Sequence, residues 1–203
     1  MKKILLYLIP FFLLISCASS RFESNFSPVY VTNTSKYAIL PTGAMHGSLD
    51  ALQKMTAQFG KDNSFDFDVY VISDSTQLSM TILNEFGTTM ASLFYDGTAL
   101  DFDSAIFPKN LKAEYIVADF QFCLYEEEDL KSALSLIGVD FEVSTESGAN
   151  GTIETRTLTK KGKPISKITR TFASESKDLQ SLKSIHYENS LRGYSYILNG
   201  VEQ

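Results

Sequence analysis

The sequence predicts a mainly β protein, α+β in class, in which antiparallel strands lie on either side of one short helical stretch. Three observations carry that reading. Apolar and polar residues alternate at period two in run after run, turn residues separate the runs, and only residues 108–138 change to a spacing of three and four. Phe (15) and Tyr (10) are abundant while Trp is absent, an aromatic content suited to pleated, half-buried strands.

The chain opens with Lys2 and Lys3 before an uncharged run from Ile4 to Ile15. That run has the length of an export-signal core and falls short of the ~20 residues a membrane-spanning helix needs. Residues 17–28 are Ser-rich and aperiodic, a tether leading to a single domain that begins near Val29 and spans residues 29–203. Met55, Ala57 and Phe59 alternate, as do Phe65, Phe67, Val69 and Val71. Gly60-Lys61-Asp62-Asn63 supplies turn chemistry between the two runs and predicts a hairpin. Gln77 to Leu83 places Leu78, Met80 and Ile82 on one face. Thr88 to Tyr95 follows after Asn84-Glu85-Phe86-Gly87, and Asp96-Gly97 turns the chain into Thr98 to Phe102. From Pro108 onward, Leu111, Tyr115, Ala118 and Phe122 fall on one helical stripe. Glu126-Glu127-Glu128-Asp129 sets four acids where the positive end of a second helix would lie. Leu130, Ala133, Leu134 and Ile137 give that helix an apolar face ending at Gly138. Strands resume with Val139 to Val143, Ile153 to Thr159 and Ile165 to Phe172, the last two joined through Lys160-Lys161-Gly162-Lys163. A final hairpin pairs Leu182 to Tyr187 with Tyr194 to Leu198.

Charge and composition exclude several classes of function. The chain carries 18 basic and 24 acidic residues, and loss of residues 1–16 would remove two lysines and no acids. An acidic chain of this kind is a poor binder of nucleic acid. Residues 17–203 are enough for one domain with its own core. The histidines are His46 and His186, and neither stands in a Ser or Cys motif that would pair a nucleophile with a base. Cys123 is the one cysteine besides Cys17, so neither a disulfide framework nor a thiolate metal set is available, and Cys123 is expected as a buried apolar thiol. Asp66 and Asp68 occupy the polar face opposite Phe65 and Phe67. Asp119 stands among apolar residues in the first helix, where backbone or tyrosyl donors would have to satisfy it. The expectation is a non-enzymatic protein with no cofactor and no metal.

Two resemblances sharpen this. Leu14-Ile15-Ser16-Cys17 resembles the bacterial lipobox, which implies a lipoprotein signal peptide over residues 1–16, cleavage before Cys17, and acylation of Cys17 with palmitate-type chains. Two or more chains hold a protein at a membrane durably, at ~0.8 kcal/mol per buried CH2. Ala18, where an Asp would resemble an inner-membrane retention signal, implies anchoring in outer-membrane lipid, facing the periplasm. A plain signal peptide with a chance Cys is the alternative.

The second resemblance rests on Asn84-Glu85-Phe86-Gly87-Thr88-Thr89 followed by Leu93-Phe94-Tyr95-Asp96-Gly97, on Val117-Ala118-Asp119-Phe120-Gln121, and on Arg192-Gly193-Tyr194-Ser195-Tyr196. On these stretches the chain resembles an uncharacterised outer-membrane lipoprotein family related to the LolA and LolB lipoprotein carriers. That implies a strongly curved, unclosed antiparallel half-barrel with an apolar concave side and a short helical plug. Members of the family are often met beside enzymes of aryl-polyene biosynthesis, which implies a part in moving or anchoring an aryl-polyene lipid. LolB-like receptors carry a membrane-insertion loop, Asn-Pro-Leu-Gly, whose leucine protrudes. The matching residues here are Asn84, Glu85, Phe86 and Gly87, with Phe86 in the leucine's place and Glu85 in the proline's. Without the resemblance, the same four residues read as a hairpin turn whose Phe folds back onto the sheet.

Two functions follow as expectations. One is a monomeric lipid-anchored carrier or acceptor whose concavity binds acyl or polyene chains, facing a periplasmic LolA-like carrier as partner. Its ligand-binding residues would be Phe67, Val69, Met80, Ile82, Ala91, Leu93 and Tyr95, with Tyr115 and Phe122 from the plug. The other is a scaffolding lipoprotein that binds a protein of an envelope export machine and holds no lipid. An open apolar groove favours the first and a filled interior the second.

Overall fold

The computed structural model describes residues 24–60, 62–107, 109–149 and 151–201. Cys17, the signal segment and the start of the tether lie outside them. The described chain begins with a two-residue bridge between β1 (Val29–Tyr30) and β2 (Lys36–Tyr37). The alternating runs then become long strands. In β3 (Leu49–Phe59), Met55 and Ala57 are buried between exposed Lys54, Thr56 and Gln58. In β4 (Asn63–Ser73), Val69 and Val71 are buried, while Asp66 and Asp68 bond outward to Thr56 and Lys54. β5 (Leu78–Leu83), β6 (Thr89–Tyr95) and β7 (Leu100–Ser104) continue the meander. β7 begins two residues later than Thr98 because the Asp96 carboxylate accepts hydrogen bonds from the backbone N–H groups of Thr98 and Ala99 and extends the turn.

The helical stretch follows as α1 (Ala113–Leu124) and α2 (Glu127–Ser135). α1 buries Val117, Ala118 and all of Phe120 to Leu124, so it is wrapped on nearly every side. α2 carries Glu127, Glu128 and Asp129 in its first turn, where the helix dipole favours negative charge, and buries Leu130 and Leu134. Gly138, at φ +66°, takes the chain out of the helix. The second meander comprises β8 (Asp140–Gly148), β9 (Gly151–Lys160), β10 (Lys163–Phe172), β11 (Leu182–Asn189) and β12 (Tyr194–Gly200).

These ten long strands form one antiparallel sheet in the order β7-β6-β5-β4-β3-β12-β11-β10-β9-β8. The two meanders meet in the middle, where β12 pairs with β3 from Tyr194↔Phe59 to Gly200↔Gln53. The outer strands β7 and β8 are not joined, so the sheet is a curved, unclosed half-barrel. α1 lies against β7 and β10, and α2 against β8, which places the helices across the concave side.

The two ends of the half-barrel differ. At the end of the β6–β7 turn, the segment after β2 buries Ile39, Leu40 and Met45. The Gln121 side chain on α1 sews it down: Oε1 accepts from Tyr37 Oη (2.8 Å) and Leu40 N (3.0 Å), and Nε2 donates to Leu40 O (2.7 Å). Tyr95 Oη donates to the same carbonyl at 2.7 Å. The register puts the β3–β4, β5–β6, β9–β10 and β11–β12 turns together at the opposite end, which is open.

Candidate ligand-binding cavity

Toward the open end, α1 stands away from the sheet and leaves a cavity of about 710 Å³. Met55, Ala57 and Phe59 of β3, Met80 and Ile82 of β5, and Tyr194, Ser195 and Tyr196 of β12 form one wall. Tyr115, Ile116, Asp119 and Phe120 of α1, with Phe107 and Leu111 from the connection before it, form the other. Tyr30, Asn110, Lys112 and Arg192 stand around it as polar lining. The wall is apolar because period two sends the same face of β3, β5 and β12 inward.

Among the described residues, Asp119 is the one acidic group of this lining. Its Oδ1 accepts from Tyr187 Oη at 2.7 Å and its Oδ2 from Tyr194 Oη at 2.6 Å. Asn189 Nδ2 donates to both hydroxyls, at 3.2 and 3.4 Å. The rings of Tyr187 and Tyr196 stack 4.9 Å apart and hold this polar group in place. Burial pushes the Asp119 carboxyl up to about 6, against the opposing pull of the two tyrosyl hydrogen bonds and of Arg192. Arg192 donates instead to the Tyr30 carbonyl and sits 4.9 Å from the centre of the Tyr115 ring. Among the described residues no cation lies within ion-pair distance of Asp119.

A second charged group anchors the helix that bears Asp119. Glu154 Oε1 accepts from Arg156 Nε (2.8 Å) and from Arg170 Nη2 (2.6 Å), and Oε2 faces Lys177 Nζ at 3.0 Å. Both arginines also cap the C-terminal end of α1. Arg156 donates to the carbonyls of Phe122 and Tyr125, and Arg170 to that of Cys123. These are the groups a helix end leaves unpaired. Cys123 is buried, and that burial raises its thiol to about 12.

The structure distributes the residues expected to bind ligand over two regions. Met80, Ile82 and Tyr115 line the cavity. Val69, Ala91, Leu93, Tyr95 and Phe122 are buried in the filled part of the concave side and do not line it. Packing accounts for the difference: Phe122 meets the Tyr37 ring at 5.0 Å and Tyr95 meets Phe26 at 5.4 Å, so the N-terminal segment and α1 occupy that space. Phe67 is half-buried beside Phe65, at 6.3 Å between ring centres, and also lies outside the lining. The sequence reading missed Met55, Ala57, Phe59, Tyr194 and Tyr196, although the alternation that carries them inward is visible in both strands.

In the Asn84-Glu85-Phe86-Gly87 loop, Asn84 Oδ1 accepts from the N–H groups of Phe86 (3.0 Å) and Thr88 (2.9 Å), and Gly87 takes φ +74°. Phe86 does not fold back onto the sheet; it is 83% exposed. Exposed Phe59, Phe65 and Leu191 stand at the same end.

Residues 50–201 match the model of a family described as a protein of unknown function, DUF3261. Among solved structures, a LolA superfamily protein from Nitrosomonas europaea is similar over 87% of this chain and 92% of that one, with 8% identity and a TM-score of 0.37. A DUF1329 family protein from Desulfovibrio piger is similar over 76% of this chain and 85% of that one, with 9% identity and a TM-score of 0.29. The curated proteins gave no match.

Proposed function

The chain belongs to the DUF3261 family, and from that premise we propose that it is a non-catalytic carrier or acceptor that shelters the hydrocarbon chain of a lipid on its way into a membrane. One observation carries the reading: an apolar cavity of about 710 Å³ opens at one end of the half-barrel. That volume lies within the ~300–1,000 Å³ usual for sites that enclose small ligands. The scaffold reading would need the concave side filled throughout, and it is filled only at the closed end.

In this reading Cys17, acylated, anchors the protein in the outer membrane facing the periplasm, and the tether gives the half-barrel reach. Phe86 is the tip that touches the bilayer, and a LolA-like carrier is a partner from which cargo is received. The resemblance to families met beside aryl-polyene biosynthesis makes an aryl-polyene lipid one candidate cargo. The test is mass spectrometry of lipids that co-purify with a soluble form lacking residues 1–17, alongside Ala57→Trp, which puts an indole into the cavity. Lipid retained by the parent and lost from the variant is the expected result. A parent that carries no lipid would overturn the proposal. For the anchor, Cys17→Ser should abolish radiolabelled palmitate incorporation, and equal labelling of the two proteins would refute it.

A further inference from the structure

The carrier reading leaves the polar end of the ligand undefined, and the surroundings of Asp119 define it. A carboxylate in an apolar cavity needs donors or a counter-charge, because burying an uncompensated ion is costly. Asp119 has two donors, the hydroxyls of Tyr187 and Tyr194, one to each oxygen. Each oxygen of a carboxylate can accept two hydrogen bonds, so acceptor capacity remains on both. Asp119 also lines the cavity, so that capacity borders the space a ligand would fill. The nearby Arg192 is committed to the Tyr30 carbonyl and the Tyr115 ring. Lys112, the other cation of the lining, is exposed to solvent.

Resting on the carrier reading, we propose that the cavity selects a single-chain amphiphile whose head group donates hydrogen bonds, an amine above all and a hydroxyl next, and that Asp119 receives this head. The hydrocarbon chain then lies against Met55, Ala57, Met80, Ile82 and Phe120. A carboxylate head is rejected, since it would set two anions side by side in a poorly solvated space.

The experiment displaces the neutral dye N-phenylnaphthylamine from the purified, delipidated soluble form lacking residues 1–17 with dodecylamine, dodecanol and dodecanoate at pH 7.5. Dodecylamine is expected to bind tightest and dodecanoate weakest, the two differing by about tenfold or more, as one charge-assisted hydrogen bond allows. Asp119→Asn should bring dodecylamine to within about twofold of dodecanol, because the charge is lost while the shape is kept. Tyr187→Phe removes one donor, leaves the carboxylate, and should preserve the order. Dodecanoate binding as tightly as dodecylamine would overturn the inference and leave the carrier reading standing, and so would an order unchanged by Asp119→Asn. The order in the unsubstituted chain is decisive should Asp119→Asn fail to fold. A chain that binds neither the dye nor any of the three amphiphiles would overturn both.

Discussion

Asp119 and Glu154 are both removed from water, and they answer in opposite directions. Burial raises Asp119 to about 6, above the ~3.9 of an unfolded Asp. Its share of stability is therefore complete below about pH 4 and is lost as pH rises through 6. Burial also pushes Glu154 upward, but the guanidinium groups of Arg170 and Arg156 overcome it and hold the carboxyl down to about 2. Its share is complete above about pH 4.3 and is lost as pH falls toward 2. Melting temperature should consequently decline between about pH 4 and 6.5, by a few degrees for an effect on the order of 2 kcal/mol, and Asp119→Asn should flatten that decline. Phe86 poses a different question. Its turn is closed by the Asn84 side chain without help from the aromatic ring, so Phe86→Glu should change stability by no more than about ±0.5 kcal/mol. Delivery of bound lipid to liposomes should fall. Unchanged delivery with unchanged melting would leave the exposed ring without a role at the membrane. The exposure of Phe86 was not legible in the sequence, because the same four residues close a turn whichever way the ring points.

At the scale of elements, periodicity located every long strand and both helices, with ends displaced where polar residues carry the chain on. β8 continues five residues past Val143 through polar, exposed positions that give no apolar signal. The inner face of β9 was harder to read. It presents Thr152, Glu154, Arg156 and Leu158, while Ile153 points outward and is 45% exposed. Alternation alone would assign the opposite faces, which hides the arginines that cap α1. Removing their shared carboxylate by Glu154→Ala should cost about 3–5 kcal/mol, because two buried cations lose their counter-charge. Lys177→Ala, acting on the partly exposed member of the group, should cost less than about 1 kcal/mol. Chemical denaturation of the two variants would rank them. Gly151 opens β9 at φ +112°, and a Cβ there would stand 2.1 Å from the Phe172 carbonyl oxygen. Gly151→Ala should accordingly cost about 2 kcal/mol or more, since both the backbone angle and the space are wrong for it. An unshifted denaturation midpoint would show that the strand end can move aside.

On the scale of the whole molecule, the order of strands along the chain was legible and their order across the sheet was not. Each hairpin is announced by its turn, whereas β3 and β12 are brought together by register across the entire chain, with no local residue to mark the pairing. The division of the concave side into a filled end and an open one was hidden for the same reason. It depends on where the segment containing Leu40 settles and on which turn of α1 the arginines hold. β12 is at once the seam between the two meanders and a wall of the cavity. A chain that emerges N-terminus first and has not yet released residues 194–200 therefore consists of two separate ribbons with bare edges at β3 and β11. It lacks Tyr194 and Tyr196, and so has no enclosure in which a hydrocarbon chain could lodge. The cavity forms all at once, when β12 takes its place, and never by degrees.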